Sequence, residues 1–162
     1  MPVKPIDVNS TPLVAFWSIA RLDILQSLFG EILIPPAVRE EFLSAEKESR
    51  RKVLRDEAWI HVIDLENPNR VGAFAGLDVG EAQVLALAEE QAAALVLIDE
   101  RKARRYAERL GLPLSGTLGV LLLAKEEGII PAIAPLLKGI QAAGLYLHSE
   151  LIERVLHIAG EK

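Results

Sequence analysis

Two kinds of hydrophobic segment alternate along this chain, and their alternation constrains the fold more than any other feature. Longer stretches have helical spacing, as where Leu13, Phe16, Trp17 and Ala20 recur at i, i+3, i+4 and i+7. Shorter runs with β-branched residues predict five strands, at 3–8, 32–34, 59–63, 95–98 and 112–114. This order predicts a three-layer α/β/α fold, in which helices cover both faces of a mostly parallel sheet.

Capping signals mark where several helices begin. Thr11 before Pro12 predicts a capping hydroxyl followed by proline at the first helical position. Asp78 followed by Glu81 predicts an acidic variant of the capping box. These signals place helix starts directly after predicted strands or loops, in agreement with the alternating pattern.

Length and composition predict a single domain over residues 1–162. Apolar residues make up 51% of the chain and charged residues 25%, which is typical of a globular protein. No segment approaches the roughly 20 apolar residues that span a bilayer, and the N-terminus lacks the order of a secretion signal. We therefore expect a cytoplasmic protein that makes no contact with a membrane.

Side-chain chemistry excludes several kinds of site. The sequence has no cysteine, so thiolate zinc sites, disulfides and cysteine nucleophiles are ruled out. The histidines, His61, His148 and His157, show no metal-ligand spacing. The formal net charge of −5 gives the whole protein no attraction for polyanions, although local charge can still bind them.

Acidic and amide side chains follow the predicted strands. Ligands of open α/β sheets bind outside the carboxyl ends of the strands, so these positions are candidates for a site. On a helical wheel, Glu41 falls beside an apolar stripe, which is unusual for an acid. Oxygen ligands favour Mg²⁺ or Mn²⁺ over zinc. The candidates are Asp7, Asn9, Glu41, Glu81, Asp99 and Glu100.

Each of these residues also has a structural explanation. Asn9 is able to cap the first helix, Glu81 to complete its capping box, and Asp99 to cap the helix that follows it. Glu41 is able to reach solvent with its long side chain. None of these explanations requires all four strand ends to carry an acid or an amide.

Six motifs resemble those of the PIN-domain family, from about residue 5 to residue 160. The likeness is closest to a poorly characterised prokaryotic branch related to the VapC toxins of toxin–antitoxin pairs. The motifs are NSTPLV (9–14), RLDIL (21–25), IPPAV (34–38), GLDVGEA (76–82), LIDERKAR (97–104) and GTLGV (116–120).

The resemblance implies a metal-dependent endoribonuclease whose acidic pocket holds Mg²⁺ or Mn²⁺ and activates a water. The four acids of the family fall on Asn9, Glu41, Glu81, and either Asp99 or Glu100. Toxin-like members usually pair with a small antitoxin and often form homodimers, so both are expected partners.

Two accessory residues accompany this implied pocket. Thr117 stands where the family often has a hydroxyl or an acid near the metal. Asn9 is neutral where the usual nuclease has aspartate, and Asp7, on the same side of the strand, is able to substitute for it in part.

A basic cluster begins beside the last acids. Backbone contacts dominate nucleic-acid affinity, so this cluster is a candidate for binding RNA phosphates, although a solvated helix face would look the same. Its residues are Arg101, Lys102, Arg104 and Arg105.

Two other functions compete with RNA cleavage. The neutral Asn9 favours a degenerate PIN fold that binds RNA or a protein without cutting. A phospho-receiver domain has a similar architecture, with an acceptor aspartate and a lysine after its fifth strand. Asp64 is a possible acceptor, but the segment 114–116 supplies no lysine, so this third reading is disfavoured.

Overall fold

The computed structural model describes residues 5–45 and 47–161, and it has a five-stranded sheet in which every pairing is parallel. The strand order is β3-β2-β1-β4-β5. Helices flank this sheet, which confirms the predicted three-layer α/β/α architecture. The strands are β1 Ile6–Val8, β2 Ile32–Ile34, β3 Ile60–Val62, β4 Leu95–Leu97 and β5 Leu114–Ser115.

The strands fall within or beside the segments that the sequence predicts. The second has the predicted bounds, whereas the fifth begins at Leu114 rather than at residue 112. Residues 3 and 4 of the first predicted strand lie outside the described residues. Val8 and Leu97 of the two central strands are fully buried, so the core lies around β1 and β4.

Helices connect and close these strands. A 3-10 helix, Pro68–Ala73, lies in the long connection after β3. The α-helices are α1 Ser10–Ser18, α2 Leu22–Phe29, α3 Pro36–Leu43, α4 Glu48–Asp56, α5 Val79–Gln91, α6 Arg101–Arg109, α7 Thr117–Glu126, α8 Ala134–Ala142 and α9 Ser149–Ile158.

The first helix differs from its predicted form at both ends. It begins at Ser10, so Thr11 is not the capping residue and Pro12 is the third helical residue. Proline is tolerated there because the first N–H groups of a helix have no helical partner. At the other end, Ala20 lies beyond the helix and has a φ of 56°. A separate helix, α2, then leads to β2.

The long connection between β3 and α5 is fastened to α5 by two acids. The carboxylate of Glu89 accepts hydrogen bonds from Arg70 at 2.5 and 3.0 Å. Glu90 accepts the backbone N–H groups of Glu66 and Asn67 at 3.0 and 2.8 Å. These bonds tie the connection to the last turn of α5, at the opposite end of that helix from its capping box.

The strand order reverses between β1 and β4. From β1 the chain continues to β2 and β3 on one side, and from β4 it continues to β5 on the other. The ends of the two strands are adjacent, since the N–H of Asn9 donates to the carbonyl of Leu97 at 2.9 Å. A crevice at such a switch point is where open α/β sheets bind their ligands. Among the described residues, no helix is long and apolar enough to cross a membrane.

Candidate functional site

Asn9 lies at the carboxyl end of β1, at the switch point. Only 4% of its surface is exposed. Its side chain makes no capping hydrogen bond to α1, and its Oδ1 has no hydrogen-bond partner among the described residues. A buried amide oxygen without a partner costs free energy, so the capping role does not account for this side chain.

Asp7 lies two residues earlier, on the same side of β1 as Asn9. It is fully buried, and neither of its carboxylate oxygens has a hydrogen-bond partner among the described residues. Burial raises the pKa of Asp7 to about 7. One side of β1 therefore carries two side chains with oxygen atoms, Asn9 at the carboxyl end of the strand and Asp7 two residues before it.

Glu41 extends from α3 towards the first turn of α5. Its Oε2 accepts a hydrogen bond from the Ser10 hydroxyl at 2.7 Å. A Cβ on Gly80 would collide with Oε1 of Glu41, so the absent side chain at Gly80 leaves room for this carboxylate. The partly buried Glu41 is thus held by its neighbours, and simple extension into solvent does not describe it.

Helices α3 and α5 are joined close to Glu41. The backbone N–H of Ala37, in the first turn of α3, donates to Oε1 of Gln83 at 2.9 Å. That N–H has no partner within its own helix, so Gln83 serves as a cap supplied by the neighbouring helix. The bond fixes the two helices that carry Glu41 and Glu81.

Glu81 completes the predicted capping box. Its N–H donates to Oδ1 of Asp78 at 2.8 Å, and its Oε1 accepts the N–H of Asp78 at 3.1 Å. Burial is the main cause that raises the pKa of Glu81, and the charges of Asp78, Glu100 and Glu41 raise it further, against the hydrogen bond from Asp78. Glu81 therefore has both roles: it caps α5 and it lies among neighbouring acids.

The adjacent acids Asp99 and Glu100 have separate partners. Glu100, not Asp99, caps α6, because its Oε2 accepts the N–H of Ala103 at 2.8 Å. Asp99 accepts the N–H and the hydroxyl of Thr117, at 2.7 and 2.6 Å. A Cβ on Gly116 would collide with Oδ1 of Asp99, so this glycine provides the space for that carboxylate.

Three residues of the predicted basic cluster line one recess, and the fourth lies apart from them. Lys102 lies over Gly76, before α5. Arg104 is partly buried, and its Nη1 donates to the carbonyl of Ile98 at 2.9 Å. Arg101 and Arg105 are exposed. Lys102 therefore lies near the start of α5, whereas Arg101, Arg104 and Arg105 share the face of α6 that lines this recess.

The donor atoms fit a hard divalent cation in their chemistry and in their charge. They are carboxylate and amide oxygens, and the mutual repulsion at Glu81 is of the kind that a cation would relieve. They do not form a finished ligand shell. Within residues 5–45 and 47–161, no three acidic, histidine or cysteine side chains are grouped closely enough to hold a metal ion.

The structure adds residues that the sequence patterns did not identify as part of the site. Ser10 positions Glu41, and Asp78 adds a charge beside Glu81. Gly80 and Gly116 leave space for Glu41 and Asp99. The sequence does offer a signal for the two glycines, because each directly precedes a candidate site residue, as in Gly80-Glu81 and Gly116-Thr117.

Comparison with known proteins gives one positive result. A family model described as a PIN domain matches residues 6–161. A search of curated proteins finds no match.

Proposed function

The chain belongs to the PIN-domain family, and from this premise we propose that it is a metal-dependent endoribonuclease of the VapC-like toxin type. It hydrolyses RNA phosphodiester bonds at an acidic pocket that takes Mg²⁺ or Mn²⁺. PIN domains generally use divalent metal ions and bind RNA, so the family supports the nuclease class. The toxin type rests on the sequence motifs alone.

The orphaned amide oxygen of Asn9 carries this proposal. It is buried at the switch point, it lacks a hydrogen-bond partner among the described residues, and the structural alternative of helix capping does not apply to it. Oxygen atoms of this kind are ligands for Mg²⁺ and Mn²⁺. The charges of Glu41 and Glu100 at Glu81 supply the negative potential that would attract such an ion.

The residues have distinct roles in the proposed site. Ser10 orients the Glu41 carboxylate, Thr117 orients Asp99, and Asp7 lies buried behind Asn9 on the same strand. The bound cation would supply a hydroxide-like water for attack on phosphorus. The residues proposed to hold the cation are Asn9, Glu41, Glu81, Asp99 and Glu100.

RNA cleavage in the presence of Mn²⁺ tests this function. We expect the purified protein to cut RNA, Glu41→Gln to lose at least tenfold in rate, and chelation by EDTA to abolish the reaction. Glu40→Gln is the matched control, because Glu40 is exposed, neighbours Glu41 on α3 and pairs with Arg39. Equal cleavage by wild type and Glu41→Gln, or no cleavage by either, would refute the proposal.

A degenerate PIN fold that binds RNA or a protein without cutting is the second candidate. It is favoured by the neutral Asn9 and by the dispersed arrangement of acids among the described residues. Calorimetry of Mn²⁺ binding by wild type and Asn9→Asp separates the two candidates. Tight binding by wild type favours the nuclease, whereas binding that appears only with Asn9→Asp favours the degenerate fold.

The wider biological setting is part of the same proposal. We propose a single-domain cytoplasmic protein that forms a homodimer and is neutralised by a small antitoxin. Leu151 and Ile158 of α9 are 46% and 58% exposed, which supports an interface on that helix. Light scattering of the purified chain, alone and with any small protein encoded beside it, measures both associations.

A further inference from the structure

A recess adjoins Asp99, between α6, the start of α7 and the segment from α8 into α9. We name it the α6–α9 cleft. Its volume is about 650 Å³, within the usual size range of small-molecule sites. Asp99 and Gly116 line one end of the cleft, so the cleft reaches the proposed metal site at that end.

One wall of the cleft is a single face of α6. Arg101, Arg104, Arg105 and Glu108 line it, and their spacing of three, four and seven residues puts them side by side on a helix. They bring three guanidinium groups against one carboxylate. The wall is therefore locally cationic, although the chain as a whole has a formal net charge of −5. Arginine is well suited to phosphate because it donates two hydrogen bonds in one plane.

The lining of the cleft also includes an exposed aromatic ring. Tyr146, between α8 and α9, is 82% exposed and lines the cleft. By contrast, the Tyr106 hydroxyl donates to the carbonyl of Ala75, and its ring packs edge-on against Phe74 at 5.5 Å. Tyr146 thus presents its ring at the mouth of a cationic recess. The rest of the lining includes the apolar side chains of Leu114, Leu118, Leu147, Leu151 and Val155, together with Ser115, Gly119 and His148.

We propose that the α6–α9 cleft holds an unpaired nucleotide of single-stranded RNA, whose base stacks on Tyr146 while the adjoining phosphates contact Arg101 and Arg105. Proteins that bind single strands combine a cationic groove with aromatic stacking platforms in this way. An acidic peptide would pair with the arginines, but its carboxylate side chains do not stack on the Tyr146 ring. A duplex would use the arginines too, but its bases are already stacked and paired.

This inference deepens the proposed nuclease function by adding a positioning residue for its substrate. A strand anchored by its base on Tyr146 would run past the arginines of α6 towards Asp99. Tyr146 does not touch the reacting atoms in this arrangement. Its effect is on which stretch of RNA is presented, so unpaired RNA is preferred to duplex.

Binding of a fluorescent single-stranded oligouridylate, measured in EDTA to prevent cleavage, tests the inference. Removal of one stacked base typically costs about 1–3 kcal/mol, so we expect Tyr146→Ala to weaken binding about 5- to 150-fold. Tyr146→Phe should bind like wild type, because the ring is kept. Gln141→Ala is the control, since Gln141 is exposed and uncharged on α8 but does not line the cleft.

Two further measurements in the same assay sharpen the result. A blunt RNA duplex should bind with an affinity that is independent of Tyr146. Arg101→Gln should lower the slope of log affinity against log salt by about 0.7, the value for one phosphate contact on a single strand. Circular dichroism checks that the variants are folded.

Unchanged affinity of Tyr146→Ala for the oligouridylate would overturn the inference and reassign the cleft to a protein segment. Failure of the wild type to bind the oligouridylate would overturn it as well. The outcome is independent of catalysis, because the assay contains no metal. Loss of affinity in Tyr146→Ala without any Mn²⁺-dependent cleavage would retain the cleft and refute only the nuclease.

Discussion

Asp7 is a carboxyl group inside the central strand with no hydrogen-bond partner among the described residues. Burial raises its pKa from 3.8 to about 7, so the folded protein holds this proton more tightly than the unfolded chain. Between those two pH values the unfolded state loses the proton first, and the free energy of unfolding therefore falls as pH rises. At neutral pH this effect of Asp7 lowers the free energy of unfolding by roughly 4 kcal/mol relative to acidic pH.

The variant Asp7→Asn should remove this dependence. We expect the difference in unfolding free energy, Asp7→Asn minus wild type, to increase from pH 4 to pH 7 in urea titrations with EDTA present. The difference curve cancels the opposite trend of other carboxylates, which stabilise the fold as they ionise. A flat difference curve over this range would contradict the assignment of a buried, unpartnered acid.

Substitution of Gly80 is expected to weaken Mn²⁺ binding without lowering the stability of the fold. The Cβ of Gly80→Ala would displace the Glu41 carboxylate, yet alanine in the first turn of α5 favours the helix by about 0.5–1 kcal/mol. We expect calorimetry to show at least tenfold weaker Mn²⁺ binding, and thermal unfolding to show no loss of stability. Unchanged Mn²⁺ binding would mean that the position of Glu41 is unimportant to the site.

At the scale of elements, the contact of α3 with α5 brings Glu41 to Glu81. Gln83→Ala removes the cap on the Ala37 N–H and should cost about 1 kcal/mol of unfolding free energy, together with part of the Mn²⁺ affinity. Gln91→Ala, at the other end of the same helix, is the control and should leave Mn²⁺ affinity unchanged. Equal Mn²⁺ affinity in both variants would show that this bond does not position the glutamates.

Elements were predictable where local sequence determines them. The strands follow from buried β-branched runs, and the capping box from Asp78 and Glu81, because those signals need only neighbouring residues. The break after α1 was missed, since Ala20 continues the helical spacing but adopts a positive φ. That conformation depends on how the chain returns to the sheet, which the hydrophobic period does not report.

The sequence predicted which acidic and amide residues stand at the strand ends, but not the hydrogen bonds that they make. The ends of β1 and β4 drew attention to Asn9 and the doublet at 99–100. Asp99 and Glu100 are adjacent in sequence, so the backbone conformation of the turn after β4 decides which of them caps α6. The glycines beside Glu81 and Thr117 are visible in the sequence, but the clearances that they provide arise between distant segments, so the sequence does not indicate which acids need them.

At the scale of the whole molecule, Glu161 fastens the end of the described chain. Its carboxylate accepts the N–H groups of Ile133 and Ala134 at the start of α8, at 2.8 and 2.9 Å, and pairs with Lys125 of α7 at 3.0 Å. The N–H groups of Ile133 and Ala134, with Lys125, hold the pKa of Glu161 below its usual value. The stabilisation is thus present at neutral pH and is lost as pH falls through the lowered pKa.

Glu161→Ala should therefore lower the unfolding free energy at pH 7 by about 2 kcal/mol, the usual range for bonds to a charged group. Glu126→Ala, at an exposed position of α7, is the comparison for a general loss of charge. The loss caused by Glu161→Ala should shrink at acidic pH, which urea titrations measure. A pH-independent loss would show that packing, not the carboxylate, holds this end of the chain.

The central claim is that Asn9, at the switch point between β1 and β4, binds a divalent cation together with neighbouring acids. Diffraction from crystals soaked in Mn²⁺, recorded at the manganese absorption edge, tests it most directly. The claim predicts an anomalous peak about 2.1 Å from Oδ1 of Asn9, with carboxylate oxygens of Glu41 or Glu81 among its ligands. A peak only elsewhere on the protein, or no peak at the switch point at saturating Mn²⁺, would contradict it.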